Sequence, residues 1–223
     1  MNRERVIRRY SAGERCHHWL LASSFILTGL SGLAFFHPGL YWLSNLFGGG
    51  TWARMLHPYF AMVTVLAFLT WFIRIRKDMH ITADDRKWAT HIPEIMRNRM
   101  DNAPATGKYN FGQKMLARTQ LLLILLLLIT GVIIWQPLFA DAFSVDLRRV
   151  AVLVHALSAF AAVLSLIVHV YAAIWTSGAI SGMLSGRVTS AWAQYHNRLW
   201  YEEKMQQARD AAVRPDLGGN TVG

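Results

Sequence analysis

Nine histidines stand in this 223-residue chain, and four of them fall where an ionisable side chain is costly. His155 and His169 lie fourteen residues apart inside one apolar run, 150–175, while His18 and His57 open two other apolar runs. A titratable group at membrane depth is a functional candidate by default, with its partner to be named. Neutral imidazole is a good iron ligand. Along a helix, fourteen residues rise about 21 Å and leave two side chains only about 40° apart in azimuth. His155 and His169 therefore face one side at two depths. Matching depth pairs His57 with His155 toward the outer surface and His18 with His169 toward the inner one. Two such pairs inside a helical bundle suit two six-coordinate b-type haems stacked across a membrane.

The elements that must carry these residues are four apolar runs, roughly 19–36, 58–75, 121–135 (reaching back to about 115) and 150–175. Each approaches the ~20 residues that cross hydrocarbon as a helix. Lipid offers open backbone groups no partner, so helices are expected rather than lone strands. The fold class expected is an all-α membrane protein, a four-transmembrane-helix bundle, with helices near 16–36, 52–74, 115–135 and 147–175. Residues 1–15 form an amino-terminal segment, 16–175 the membrane domain with a long loop at 76–112, and 176–223 an amphipathic segment with a disordered tail after Arg209. Pro58 is placed in the first turn of its helix, where a missing N–H does little harm.

Charge orients the bundle. Of 23 lysines and arginines, only Arg54, Arg148 and Arg149 fall in the two short connections; the other twenty lie in the termini and in the stretch from Arg74 to Arg118. That bias places both termini and the long loop in the cytoplasm. The net charge of +10 is then mostly a topology signal, with attraction to anionic lipid secondary, and nucleic acid is not expected. One cysteine, Cys16, excludes an internal disulfide and a multi-cysteine metal site, and the absence of C-x-x-C-H argues against covalent haem. Arg8-Arg9-Tyr-Ser before an apolar run resembles a twin-arginine signal, but no small-x-small site follows the run and it reads as a retained helix.

The other five histidines, His17, His37, His80, His91 and His196, are expected to be solvated or interfacial. Gly29, Gly32 and Gly131 fall near the outer pair's level; glycine there leaves room for a flat macrocycle and equally serves ordinary helix packing. A zinc or copper site would need ligands converging on one point, and the runs contain no acidic residue to support one. At the foot of the third helix, the Asn110 amide and the N–H groups of Gly112 and Gln113 could donate to a quinone's carbonyls. A transporter or scaffold with incidental histidines is the non-redox alternative.

Arg15-Cys-His-His18-Trp19, Leu30-Ser-Gly32, Arg54-Met-Leu-His57-Pro58, Gly107-Lys-Tyr-Asn110-Phe-Gly112-Gln-Lys114 and Thr130-Gly-Val-Ile-Ile-Trp135 together resemble the cytochrome b (gamma) subunits of bacterial respiratory formate dehydrogenases. The resemblance covers about residues 10–205. The wider group of diheme subunits from hydrogenases and thiosulfate reductases shares mainly the histidines and the helical plan. The resemblance implies an outer haem b on His57 and His155, an inner haem b on His18 and His169, and a menaquinone site by the inner haem with Asn110, Gly112 and Gln113. It implies an iron–sulfur beta subunit and a molybdenum- or tungsten-containing alpha subunit as partners, in the bacterial inner membrane. His17 beside His18 departs from the family pattern; helix entry and the following Trp19 favour His18.

Overall fold

In the computed structural model, which describes residues 5–95, 97, 104–136 and 138–213, four long helices dominate. They are α1 (Ala12–Leu33), α2 (Gly50–Ile75), α5 (Phe111–Ile134) and α6 (Val145–Trp175). Between them lie a 3₁₀ helix, Pro38–Phe47, and the short helices α3 (Ala83–Thr90) and α4 (Ile92–Ile95). A short surface helix was expected at 92–100; only Ile92–Ile95 is seen, and 96 and 98–103 lie outside the described residues. Helices α2 (with its 3₁₀ continuation Arg76–Met79), α5 and α6 are long and apolar enough to cross a membrane. Helix α1 is as long as a span requires but is diluted by His17, His18, Ser23, Ser24, Thr28 and Ser31.

Side-chain contacts fix the arrangement. His17 meets Ala67, Thr28 meets Thr64 and Ser31 meets His57, so α1 and α2 form an antiparallel hairpin. Gln120 meets Ser165 and Thr130 meets His155, making α5 and α6 a second hairpin. The hairpins are joined by the stacked rings of Phe36 and Phe160 and by Tyr59 against Trp135. Buried side chains between the long helices are mostly small or hydroxylated, among them Ser24, Ser31, Thr64, Ala67, Thr130, Ser158 and Ala162. Large ones such as Leu66, Leu122, Ile129, Leu157, Ile167 and Val168 point outward. That inversion of the soluble pattern suits a hydrocarbon solvent.

Helix starts come earlier than hydropathy suggests, because capping residues begin them. Ser11 and Glu14 form a reciprocal capping box for α1, Asn110 and Gln113 one for α5, and Ser144 caps α6. Pro58 needs correction: α2 begins at Gly50, so the proline lies in its third turn, not the first. It sits directly after His57 and removes one donor from the helix interior.

The chain ends form a separate small unit. β1 (Val6–Arg8) pairs antiparallel with β2 (Arg187–Thr189), Ile7 opposite Val188. After α6 come α7 (Ala179–Ser185), β2, α8 (Ser190–His196) and α9 (Arg198–Val213). Ile7, Val188, Ala193 and Trp200 form a core, with Trp192, Tyr201 and Met205 against it. The fold is thus not purely helical. The tail's amphipathic pattern has an internal cause in this packing, and α9 continues four residues past Arg209. Residues 214–223, the rest of the tail expected to be disordered, lie outside the described residues. Gly186, at φ 78°, lets the amino-terminal strand pass: a Cβ there would lie 2.6 Å from the Tyr10 carbonyl oxygen.

Candidate functional site

The two hairpins bring all four histidines into the pairs that depth predicts. The ring centres of His57 and His155 are 6.4 Å apart, and so are those of His18 and His169. Two imidazoles bound to one ion through nitrogens at about 2 Å, with each ring centre about 1.1 Å behind its nitrogen, have centres about 6.2 Å apart. Both pairs therefore fit one iron between their rings. Each joins one helix of the first hairpin to α6. Among the described residues no three His, Cys, Asp or Glu side chains converge on a metal, so each pair offers two protein ligands and no more from those residue types.

The upper pair is held in a defined tautomer. Thr130 Oγ1 gives its proton to the Leu126 carbonyl at 2.6 Å and lies 2.9 Å from His155 Nδ1. Ser31 Oγ gives its proton to the Thr28 carbonyl at 3.0 Å and lies 2.9 Å from His57 Nδ1. With the hydroxyl proton committed, each oxygen accepts from the ring, so Nδ1 carries hydrogen and Nε2 keeps a free lone pair. The next residue in both cases is a glycine that faces the same ring. A Cβ on Gly32 would fall 2.9 Å from His57 Cε1, and one on Gly131 3.4 Å from His155 Cε1. Gly29 has nothing within 4 Å. Two of the three glycines thus make space for imidazoles.

The lower pair lacks such hydroxyls. His18 Nδ1 is buried without a hydrogen-bond partner among the described residues, and Trp19 stands edge-on at 5.3 Å. His17 turns away and bonds the Ala67 carbonyl at 2.7 Å, with Thr70 at 3.3 Å. It fastens α1 to α2 rather than meeting solvent, and this leaves His18 as the partner of His169. His196 also departs from expectation. It packs against the rings of Trp192 and Tyr195 in the terminal unit, where burial and the nearby Arg9 charge push it below its ordinary value of 6.5.

At the foot of α5, Asn110 and Gln113 are largely occupied with each other. The Gln113 N–H donates to Asn110 Oδ1 at 2.9 Å and the Asn110 N–H to Gln113 Oε1 at 3.1 Å. Of the donors expected from sequence, the Gln113 N–H is therefore spent on the cap, while the Asn110 and Gln113 side-chain NH₂ groups lie outside it. Gly112 is exposed, with Trp88 of α3 beside it and Phe111 in contact with Trp88. Helix α3 is clamped to α5 by a buried ion pair that sequence reading did not find: Lys114 Nζ lies 2.7 Å from Asp85 Oδ2 and also donates to the His80 carbonyl. Burial alone would raise the Asp85 carboxyl, but the Lys114 and Thr82 donors outweigh it and hold the group below the usual carboxylate value. An Asp–Lys relation across 29 residues has no local pattern to betray it. Next to the cap, burial pushes the Tyr109 phenol upward, so it stays protonated. A polar cavity of about 580 Å³, lined in part by Glu14, Lys77, Lys108, Tyr109 and Lys114, opens beside it.

A helical, lipid-faced bundle that presents two imidazole pairs at two levels belongs to the membrane-bound b-type cytochromes. The profile of prokaryotic cytochrome b561 proteins matches residues 9–186, and the chain belongs to that family, whose members bind haem b in the membrane. It is 42% identical over 203 residues to the formate dehydrogenase cytochrome b556(fdo) subunit of Escherichia coli K12, covering 91% of this chain and 95% of that one. It is 36% identical over 206 residues to the nitrate-inducible cytochrome b556(Fdn) subunit of the same strain, covering 91% and 94%. The formate dehydrogenase cytochrome b556 subunit of Haemophilus influenzae is 36% identical over 205 residues, covering 92% and 85%.

Proposed function

We propose that this chain is the diheme cytochrome b subunit of a formate dehydrogenase, carrying electrons across the inner membrane to menaquinone. The observation that carries the reading is the equal 6.4 Å separation of the two histidine pairs. His57 and His155 would hold one haem b, His18 and His169 the other, in a bundle of four spanning helices that includes α1. When bound, the haems supply one-electron carriage. The full-length relatives, all formate dehydrogenase subunits by name, support formate as the electron source. The oxidation itself is assigned to partner chains, an iron–sulfur subunit and a molybdenum- or tungsten-containing one.

The chain's own residues do the following. Thr130 and Ser31 hold the upper imidazoles with Nε2 free, and Gly131 and Gly32 let those rings approach. The fourteen-residue step from His155 to His169 sets a distance of about 21 Å along α6, most of the hydrocarbon thickness. The charge bias puts the termini, and with them the lower pair, on the cytoplasmic side. There Asn110 and Gln113 offer amide donors to a quinone head. Protons would come from the cytoplasm, on whose side the polar cavity beside Tyr109 also lies. Electrons moving inward do so against a potential positive outside, at about 2.3 kcal/mol per electron per 100 mV, so the reaction separates charge without a proton channel.

Reduced-minus-oxidised spectra of the purified complex test this. Two b-type haems per chain are expected. His57→Ala or His155→Ala should remove one and leave the other. A chain purified without any b-type band would sink the reading, as would loss of both haems together in a variant that is still folded.

A further inference from the structure

Residues 104–110, which lead into the Asn110 cap, form no helix or strand, and their conformation is set from outside. Three consecutive carbonyls there are held by the terminal unit. The Leu199 N–H donates to the Thr106 oxygen at 3.1 Å, Asn197 Nδ2 to the Gly107 oxygen at 2.7 Å, and Arg9 Nη2 to the Lys108 oxygen at 2.7 Å. Arg9 Nη1 also donates to Asn197 Oδ1 at 2.8 Å, closing the set across 188 residues of chain. Arg9 is 6% exposed and Asn197 3%. The guanidinium lies over the rings of Trp192 and Trp200 at 4.9 and 5.2 Å, which restricts where it can turn. The core of the terminal unit is already made by Ile7, Val188, Ala193 and Trp200. Burying a guanidinium and an amide beside it is costly unless every group is paired, and here Arg9 Nη2 and Asn197 Nδ2 go to the loop, Arg9 Nη1 to Asn197 and Arg9 Nε to the Tyr10 hydroxyl. Such satisfied networks fix one conformation rather than add bulk stability.

We propose that Arg9 and Asn197 are positioning residues for the quinone site: by gripping the carbonyls of Gly107 and Lys108 they set where the α5 cap presents Asn110 and Gln113. The inference rests on the reading of that cap as the quinone site. It gives the paired chain ends a role in electron exit, and it places the control of quinone affinity on residues that never touch the quinone.

The test uses the purified complex with menadione as the probe. Asn197→Ala removes the Gly107 bond; Asn197→Asp keeps an acceptor for Arg9, and so the fold of the terminal unit, while losing the donor to Gly107; Arg9→Lys keeps the charge but not the two-pronged grip. All three should raise the KM for menadione about threefold to thirtyfold, the range set by one or two lost hydrogen bonds. The kcat should stay within about twofold on the same reasoning, with haem content unchanged. Amide hydrogen exchange at 106–110 should quicken in parallel, a readout independent of turnover. Unchanged KM and exchange in Asn197→Asp would overturn the inference, as would haem loss equal to the change in KM. Asn110→Ala and Gln113→Ala separate the two levels. If they raise KM while the Asn197 variants do not, only the positioning role fails; if they leave KM unchanged, the quinone site and the positioning role fall together.

Discussion

Thr130 Oγ1 stands 2.9 Å from His155 Nδ1 with its own proton already given to the Leu126 carbonyl. Ser31 repeats the arrangement for His57. One hydroxyl per ring thus settles which nitrogen is free. An acceptor on Nδ1–H makes imidazole a stronger donor to iron and favours the ferric state. Thr130→Val keeps shape and removes the acceptor. The potential of the haem proposed on His57 and His155 should rise by about 20–60 mV, the equivalent of one hydrogen bond in a one-electron couple. Potentiometric titration of the purified complex reads this, and a fall in potential would show that the tautomer is reversed.

Gly32 and Gly131 make opposite predictions about tolerance. A Cβ on Gly32 meets His57 Cε1 at 2.9 Å, whereas on Gly131 the nearest approach to His155 is 3.4 Å. Gly32→Ala should therefore displace the imidazole and lose most of one haem, while Gly131→Ala should retain it. Haem stoichiometry by pyridine haemochrome distinguishes them, and equal retention would mean that the His57 ring can yield.

Lys114 and Asp85 are both buried, so removing one leaves the other charged and unpaired. Lys114→Met should destabilise the protein by about 3–5 kcal/mol, and adding Asp85→Asn should recover much of that. Thermal unfolding in detergent measures the difference; a double variant as weak as the single one would show that the pair is not the relevant clamp. The folded Asp85 carboxyl lies below its ordinary value of 3.8. Its contribution is thus present above that pH and is lost only as pH falls through the lower folded value.

His196 sets a pH limit on the terminal unit. Its folded value lies below 6.5, so in acid the unfolded form takes the proton first and stability is lost as pH falls below 6.5. Limited proteolysis of the tail should accelerate between pH 7.5 and pH 5.5, and His196→Gln should flatten that dependence. A tail equally resistant at both values would contradict it.

The histidine pairs were legible because they depend on quantities a sequence carries directly: rise per residue, azimuth and apolar run length. The Asn110–Gln113 box is likewise a local pattern, although its cost to the expected donors emerges only from the atoms. The partner of His17 was not legible, because a difference of about 100° in azimuth between neighbouring side chains tells where a residue does not point and not what it finds. Pro58 was misplaced because Gly49 and Gly50 start α2 well before the apolar run begins. The β1–β2 ladder was invisible: strands of three residues separated by most of the chain have no periodicity to detect, and their pairing is decided by Ile7, Val188 and Trp200 meeting in space.

That ladder also dictates an order of events. Residues 6–8 precede every long helix, yet they have no partner until 187–189 emerge, after all four have been made. Contacts of such sequence separation form late. Two of the three donors to the loop at 106–108, Asn197 and Leu199, emerge later still. On the proposed function, the electron exit is therefore the last part of the molecule to be completed, and a chain interrupted anywhere before β2 could assemble imidazole pairs but would lack the set doorway for their electrons.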